Sequence, residues 1–209
     1  MKNLFTFYAF LLLGFFLNAQ NLKFPDNNLD LNLKSPDNNL DLNFSIDKNG
    51  RAFYSLNFHD KPVILNSGLG FILKDNVEWM KVDTLDMINN FKVINVTFDS
   101  VDEYWNPVWG EESEIRNNYN EMFVELQQIE SERKVNIRFR LFDDSLGFRY
   151  EFPLQEKLGS FIIIDEKTEF AMAGDHTAMW IPGDYDTQEY NYTTSKLSEI
   201  EQKSIEFRE

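Results

Sequence analysis

No cysteine occurs among the 209 residues, so disulfide staples and thiolate metal sites are excluded. Histidine is almost as scarce: His59 and His176 are the only two. With no thiol and two isolated imidazoles, no Cys-His or Ser-His-Asp system can be argued from spacing. His59 sits in a polar turn and reads as a bystander. His176, in Gly174-Asp175-His176-Thr177, reads as an ordinary satisfied loop histidine, with a role in orienting the stretch that follows as the alternative. Positive charge is in deficit, with 20 Lys and Arg against 35 Asp and Glu, a net charge of −15 and a pI near 4.5. Such a chain is repelled by phosphate backbones and anionic membranes, which argues against nucleic acid as a partner. Helix signals are also missing. Only residues 194–203, opened by hydroxyl caps, are expected to hold a helical turn or two.

What is present is apolar and aromatic. At 43% hydrophobic and 15% aromatic, the chain has enough for one good core and is short for a two-domain enzyme. Lys2, the apolar run 4–17 and a small-residue site ending at Ala19 form a secretory signal, with cleavage expected after Ala19. A membrane anchor is the rival reading, but the run is short for a bilayer and no stop-transfer charges follow. The expectation is an exported, periplasmic protein with no membrane partner once the signal is removed.

Residues 25–32 (Pro-Asp-Asn-Asn-Leu-Asp-Leu-Asn) recur unchanged at 36–43, and Leu22-Lys23 is echoed by Leu33-Lys34. Two copies are too few for a solenoid. They read as one working strand and one spare, left at an edge or in a linker. Leu40, Leu42, Phe44 and Ile46 alternate with Asp41, Asn43 and Ser45, so the second copy is the working strand and residues 20–34 are assigned to a linker. Asp47-Lys48-Asn49-Gly50 carries the Asn-Gly pair of a type I′ hairpin. Further alternating runs follow at 53–58, 63–65, 69–73, 91–98, 123–126, 135–142, 148–152, 161–164 and 166–170, with turn chemistry between them. Gly68 and Gly70 flank Leu69, a spacing that suggests a bulge or close backbone approach. Short strands at such spacing indicate a mainly β fold, an antiparallel β-sandwich or barrel.

Two stretches stand out chemically. Residues 180–192 (Trp-Ile-Pro-Gly-Asp-Tyr-Asp-Thr-Gln-Glu-Tyr-Asn-Tyr) bring rings and carboxylates together, the composition of a sugar pocket, a hard-cation site or an acidic solvated loop. Residues 104–121 hold Trp105, Trp109, Arg116 and several glutamates without strand alternation, and are expected to form a structured loop. There Trp105 or Trp109 would stack on a sugar and Arg116 would clamp a carboxylate. The alternative is that the tryptophans plug an end of the sandwich and Arg116 neutralises neighbouring glutamates.

Four linked motifs then carry a resemblance. Trp105-Asn106-Pro107-Val108-Trp109-Gly110-Glu111, Ile115-Arg116-Asn117-Asn118-Tyr119-Asn120-Glu121, Phe142-Asp143-Asp144 with Gly147-Phe148-Arg149-Tyr150, and Trp180-Ile181-Pro182-Gly183-Asp184-Tyr185-Asp186 with Glu189-Tyr190 appear in the order found in glycoside hydrolase family 97. From about Ser35 onward the chain resembles the N-terminal β-sandwich of that family, a galactose-mutarotase-like supersandwich. The resemblance implies a partner (β/α)₈ barrel that cleaves α-linked glucosides or galactosides with the help of Ca²⁺. A barrel needs about 250 residues, so it has no room here, and residues 35–209 are read as an incomplete sandwich domain. By motif, Glu189 is the residue expected to reach the barrel's Ca²⁺, while Trp180, Tyr185, Trp109 and Arg116 are the expected contacts to an α-linked oligosaccharide. Asp184 and Asp186 read as turn residues.

Three functions follow as expectations. The first is an accessory domain of an exported α-glycosidase, not hydrolytic alone and weak in Ca²⁺ binding by itself. The second is a standalone carbohydrate-binding module using Trp105, Trp109, Trp180 and Tyr185. The third is a mutarotase-like enzyme, for which His176 and one carboxylate would have to act as acid and base.

Overall fold

The computed structural model describes residues 29–75, 84–183 and 189–200. Alternation dictates the first sheet. Strands β1 (Leu29–Lys34), β2 (Leu40–Ile46), β3 (Ala52–Phe58) and β4 (Lys61–Gly68) form an antiparallel meander in chain order. In β2 the apolar residues Leu40, Leu42, Phe44 and Ile46 are buried, and the polar ones between them are half-exposed. The register Leu42↔Leu56, Phe44↔Tyr54 and Ile46↔Ala52 puts large and small core residues side by side. The chain continues through β5 (Phe71–Asp75) and β6 (Thr84–Met87). The second large sheet follows, made of β7 (Phe91–Trp105), β8 (Ile115–Gln128), β9 (Lys134–Leu141) and β10 (Leu146–Glu151) in the order β10-β9-β8-β7. Strand β11 (Phe161–Glu166) returns to pair with β5, and β12 (Thr177–Trp180) pairs with β13 (Thr193–Lys196).

Phe139, fully buried on β9, joins the two large sheets. Its ring lies 5.8 Å from Phe44 and 6.4 Å from Tyr54 across the interface, and 5.7 Å from Phe148 on its own sheet. The three-stranded sheet closes one side through Phe71, 4.4 Å from Tyr150, and through Phe161, 4.7 Å from Phe152. The architecture is the expected antiparallel β-sandwich. Tyr54 keeps its phenol inside the core by donating to the Glu169 carbonyl at 2.9 Å, and burial pushes its pKa up to about 12. Outside the second sheet, Arg138 bonds Glu121 and Glu151 while lying 4.3 Å over Phe123, and Arg140 bonds Glu121 while lying 4.4 Å over Tyr119. Stacked guanidiniums thereby cover rings on a polar face.

Several expectations change. Of the two places expected for the first copy, the edge is the one taken from Leu29 onward, which corrects the linker assigned to residues 29–34: they form strand β1, with Leu31 and Leu33 buried beside Phe44 and Leu42. The Asp47–Gly50 reversal is not type I′. Only Gly50 is left-handed, at φ +74°, because Asp47 Oδ1 accepts the amides of Asn49 and Arg51 and organises a longer loop. That loop docks on the connection from β6 into β7, where Asn90 and Phe91 donate to the Asn49 and Gly50 carbonyls. The two-residue turn with both central residues left-handed lies instead at His59 and Asp60, φ 46° and 62°.

Gly68 and Gly70 do mark close approaches. A Cβ at Gly68 would stand 2.1 Å from the Arg51 guanidinium, and one at Gly70 2.9 Å from the Met87 carbonyl. Of residues 194–203, β13 takes those up to Lys196, and the expected helical turn is a single 3-10 turn at Leu197–Glu199. Residues 167–173 follow β4 by hydrogen bonds without regular strand geometry. Leu65 donates to Ala171 at 2.7 Å and Ala173 to Val63 at 3.0 Å.

Removing the central ring tests this packing. Phe139→Ala is expected to destabilise the fold by about 3–5 kcal/mol, read as a lower urea midpoint.

Candidate functional site

Residues 180–192 form the connection between β12 and β13 rather than an end of the large sheets. The two strands pair Thr177↔Lys196 through Trp180↔Thr193, which fixes both ends of the stretch. Trp180 is half-buried, and its indole N–H donates to Ser195 Oγ at 3.0 Å across the hairpin. Trp180 thus has a set position from which Ile181, Pro182 and Gly183 lead outward. Tyr185, Asp184 and Asp186 lie outside the described residues. Glu189 and Tyr190 resume the description as exposed side chains on the returning limb, and Tyr192 is exposed beside them.

The base of this hairpin is held by Asp175. Its carboxylate accepts both the amide and the hydroxyl of Ser198 at 2.9 Å, and these bonds hold its pKa below the ordinary carboxylate range. His176 is exposed; its carbonyl accepts the Leu197 amide.

Residues 104–121 are not a loop in the sense expected. Pairing runs without interruption from Asn95↔Glu125 to Trp105↔Ile115, whereas β9 accompanies β8 only as far as Asn120↔Leu141. The five pairs from Val101↔Tyr119 outward form a two-stranded arm roughly 17 Å long at the rise of an antiparallel strand. Composition hid this arm because a ribbon exposed on both faces needs no polar-apolar alternation.

Arg116 is its brace. Nε and Nη2 grip Asp102 at 2.7 and 2.8 Å, and the guanidinium lies 6.0 Å over the Tyr104 ring. This pairing lowers the Asp102 pKa and raises that of Arg116. The partner is an aspartate on the opposite strand, not one of the glutamates nearby in sequence, and only the hairpin register identifies it. Between Arg116 and Asp102 in the register Asn117 bonds Glu103, and further out Asn106 bonds the Ser113 carbonyl. The tip then presents Val108 fully exposed, Trp109 89% exposed and Trp105 half-exposed. These tryptophans do not plug the sandwich; they project from it.

The structure therefore places Trp180 and Glu189 on one hairpin, and Trp109 and Arg116 on another. None of them lines the apolar groove of about 620 Å³ between the large sheets, where Leu56, Phe58, Ile64 and Phe170 face Asp143 and Asp144 at the rim. Sequence reasoning missed that groove, because its walls come from strands far apart in the chain. Among the described residues, no group of three or more His, Cys, Asp or Glu is gathered closely enough to hold a metal ion.

The arm is expected to loosen independently of the core. Arg116→Ala should raise amide exchange over residues 101–119 by about tenfold while leaving the thermal midpoint nearly unchanged, since exposed ion pairs contribute little to global stability. The Asp102 pKa is lowered in the folded arm, so the pair's contribution is complete above the ordinary carboxylate pKa. It is lost as pH falls through the lowered value, which exchange protection measured against pH would show.

Known proteins share this arrangement. The profile of the family described as Glycosyl-hydrolase 97 N-terminal matches residues 33–207. A glycoside hydrolase family 97 enzyme from Pseudoalteromonas sp. strain K8, solved with panose, is 34% identical with a TM-score of 0.71; the match covers 81% of this chain and 25% of that one. The same enzyme with acarbose gives 34% identity, a TM-score of 0.69 and coverages of 79% and 24%. A retaining alpha-galactosidase of Bacteroides thetaiotaomicron is 25% identical over 169 residues, covering 75% of this chain and 23% of that protein. The chain spans about a quarter of the length of these relatives. With the profile matching most of its residues and the sandwich superposing on solved members, the chain belongs to glycoside hydrolase family 97, as its N-terminal domain.

Proposed function

We propose that this chain is the N-terminal accessory domain of an exported α-glycosidase, acting on α-linked glucosides or galactosides and not hydrolytic alone. The observation that carries this reading is the family match over 33–207 in a chain that spans a quarter of its relatives. The hairpin of β12 and β13 is the part that acts. Rooted by the Trp180–Ser195 and Asp175–Ser198 bonds, it presents Glu189 outward, toward a catalytic (β/α)₈ barrel on which the domain packs. Glu189 contributes one carboxylate oxygen to a Ca²⁺ shared with that barrel. The ion, when bound, supplies positive charge near the reacting sugar. Trp180 offers a ring face to the apolar side of an α-linked oligosaccharide, and Tyr185, five residues on in sequence, is the second aromatic residue assigned to that ligand. Arg116 serves the sugar indirectly by stiffening the arm that carries Trp109. The solved relative's complexes with panose and acarbose support the ligand class, and the residues before Ala19 support export.

A second reading, a standalone carbohydrate-binding module, is favoured by the exposure of Trp109. Calorimetry separates the two. The accessory-domain reading expects Ca²⁺ to bind no tighter than about millimolar, because one carboxylate leaves most of the coordination shell unfilled, and expects Glu189→Gln to remove that heat. It also expects no heat with panose and no release of p-nitrophenol from the α-glucoside or α-galactoside. Micromolar Ca²⁺ binding that survives Glu189→Gln would overturn the shared site. Panose binding lost in Trp109→Ala would favour the module.

A further inference from the structure

The eight residues 25–32 and 36–43 are identical, and part of each copy ends in adjacent strands. β1 contains Leu29-Asp30-Leu31-Asn32 from the first copy, and β2 contains Leu40-Asp41-Leu42-Asn43 from the second. β2 lies between β1 and β3, while β1 is the edge of the sheet. The family match begins at Leu33, so the repeated residues of β1 precede it.

Strand β3 has few means of telling the copies apart. Ladder bonds are made by the backbone, whatever the side chains. Toward the core, β2 presents Leu40, Leu42, Phe44 and Ile46, and the equivalent positions of the first copy are Leu29, Leu31, Leu33 and Ser35. On the other face, Asp41 and Asn43 have Asp30 and Asn32 as counterparts. The copies diverge only at the last two core positions. Phe44 is fully buried 5.8 Å from Phe139, and Ile46 is buried opposite Ala52. An exchange would put a smaller side chain at the first position and a hydroxyl at the second. The longer connection to β3 adds little opposition, because closure entropy grows slowly with loop length.

We propose that the first copy is a spare for β2: residues 29–35 are able to take its place beside β3, and Phe44 and Ile46 hold the chain in the observed pairing. The observed pairing also gains from having both copies present. Lys34 pairs with Asp41 at 2.8 Å, and the buried Ser35 hydroxyl accepts the Leu40 amide at 3.0 Å.

The absence of cysteine makes the test clean, since an engineered pair reports one contact. Asn43 faces Ser55 across β2 and β3 with both side chains half-buried, and after exchange Asn32 would face Ser55. In the otherwise native chain at low concentration, Asn43→Cys with Ser55→Cys should close an intramolecular disulfide, while Asn32→Cys with Ser55→Cys should not. Adding Phe44→Leu and Ile46→Ser gives the second copy the core residues of the first. The Asn32→Cys, Ser55→Cys disulfide should then rise at least about tenfold, as two seatings of similar energy share the population. A folded chain with these substitutions and no such rise would overturn the proposal.

Should those substitutions prevent folding, deletion of residues 36–46 decides. It joins the first copy directly to the Asp47–Gly50 turn, and the chain should keep a native far-UV spectrum, close the Asn32→Cys, Ser55→Cys pair and melt at a lower temperature. An unfolded deletion chain would show that the first copy cannot fill the seat.

Discussion

The contact of Phe139 with Phe44 and Tyr54 is the constraint on which the rest of the structure depends. Two antiparallel meanders, each with one apolar face, have no reason to adopt a single arrangement until large side chains interlock across the gap. Phe139 supplies that interlock, backed by Phe148 from the neighbouring strand. Tyr54 extends it outward. Its hydroxyl reaches the Glu169 carbonyl, while the Glu169 carboxylate takes the Gly68 amide and the Arg51 guanidinium. The segment 167–173 is thereby pinned along β4, and the β12–β13 hairpin begins a few residues later. The position of Trp180 is thereby tied to core packing at residues distant from it in sequence.

The two stretches that stood out for their rings and carboxylates are both hairpin ends, and both are stiffened locally rather than by burial. In the arm, Arg116 and Asp102 hold one strand to the other; in the hairpin, Trp180 and Ser195 do the same, with Asp175 fixing the return. Such contacts are short-ranged and exposed, so they set shape without adding much to global stability. That division suits the proposed role, in which the domain presents rings and carboxylates to a partner. A contact surface fixed by local braces is preorganised for binding, and the sandwich is left to supply stability.

Much of this was legible in the sequence. Leu40 to Ile46 and Val135 to Leu141 alternate cleanly because each strand has one face in the core and one outside, and burial follows that alternation. The motifs around Trp105, Arg116, Phe148 and Trp180 identified the family, and the profile over 33–207 agrees. Other features were illegible for physical reasons. The arm from Val101 to Tyr119 has no buried face along most of its length, so its strands leave no periodic trace. Asn49-Gly50 matches a two-residue turn in isolation, but the Asp47 carboxylate and the docking of Asn90 and Phe91 select another geometry. The first copy of the repeat looked dispensable, yet an unfilled edge beside β2 accepts any strand with the right alternation.

By itself, then, the sequence determined the class of fold, the absence of thiol chemistry, the acidic character and the family, because all of these rest on composition, period-two patterning or contiguous motifs. Only the tertiary structure decided which carboxylate Arg116 binds, where the groove opens, that Trp109 and Trp180 stand on separate hairpins, and that both copies of the repeat are used. Each of those depends on strand register and on packing between residues distant in the chain. A linear pattern carries no information about such pairings until the core has closed around Phe139.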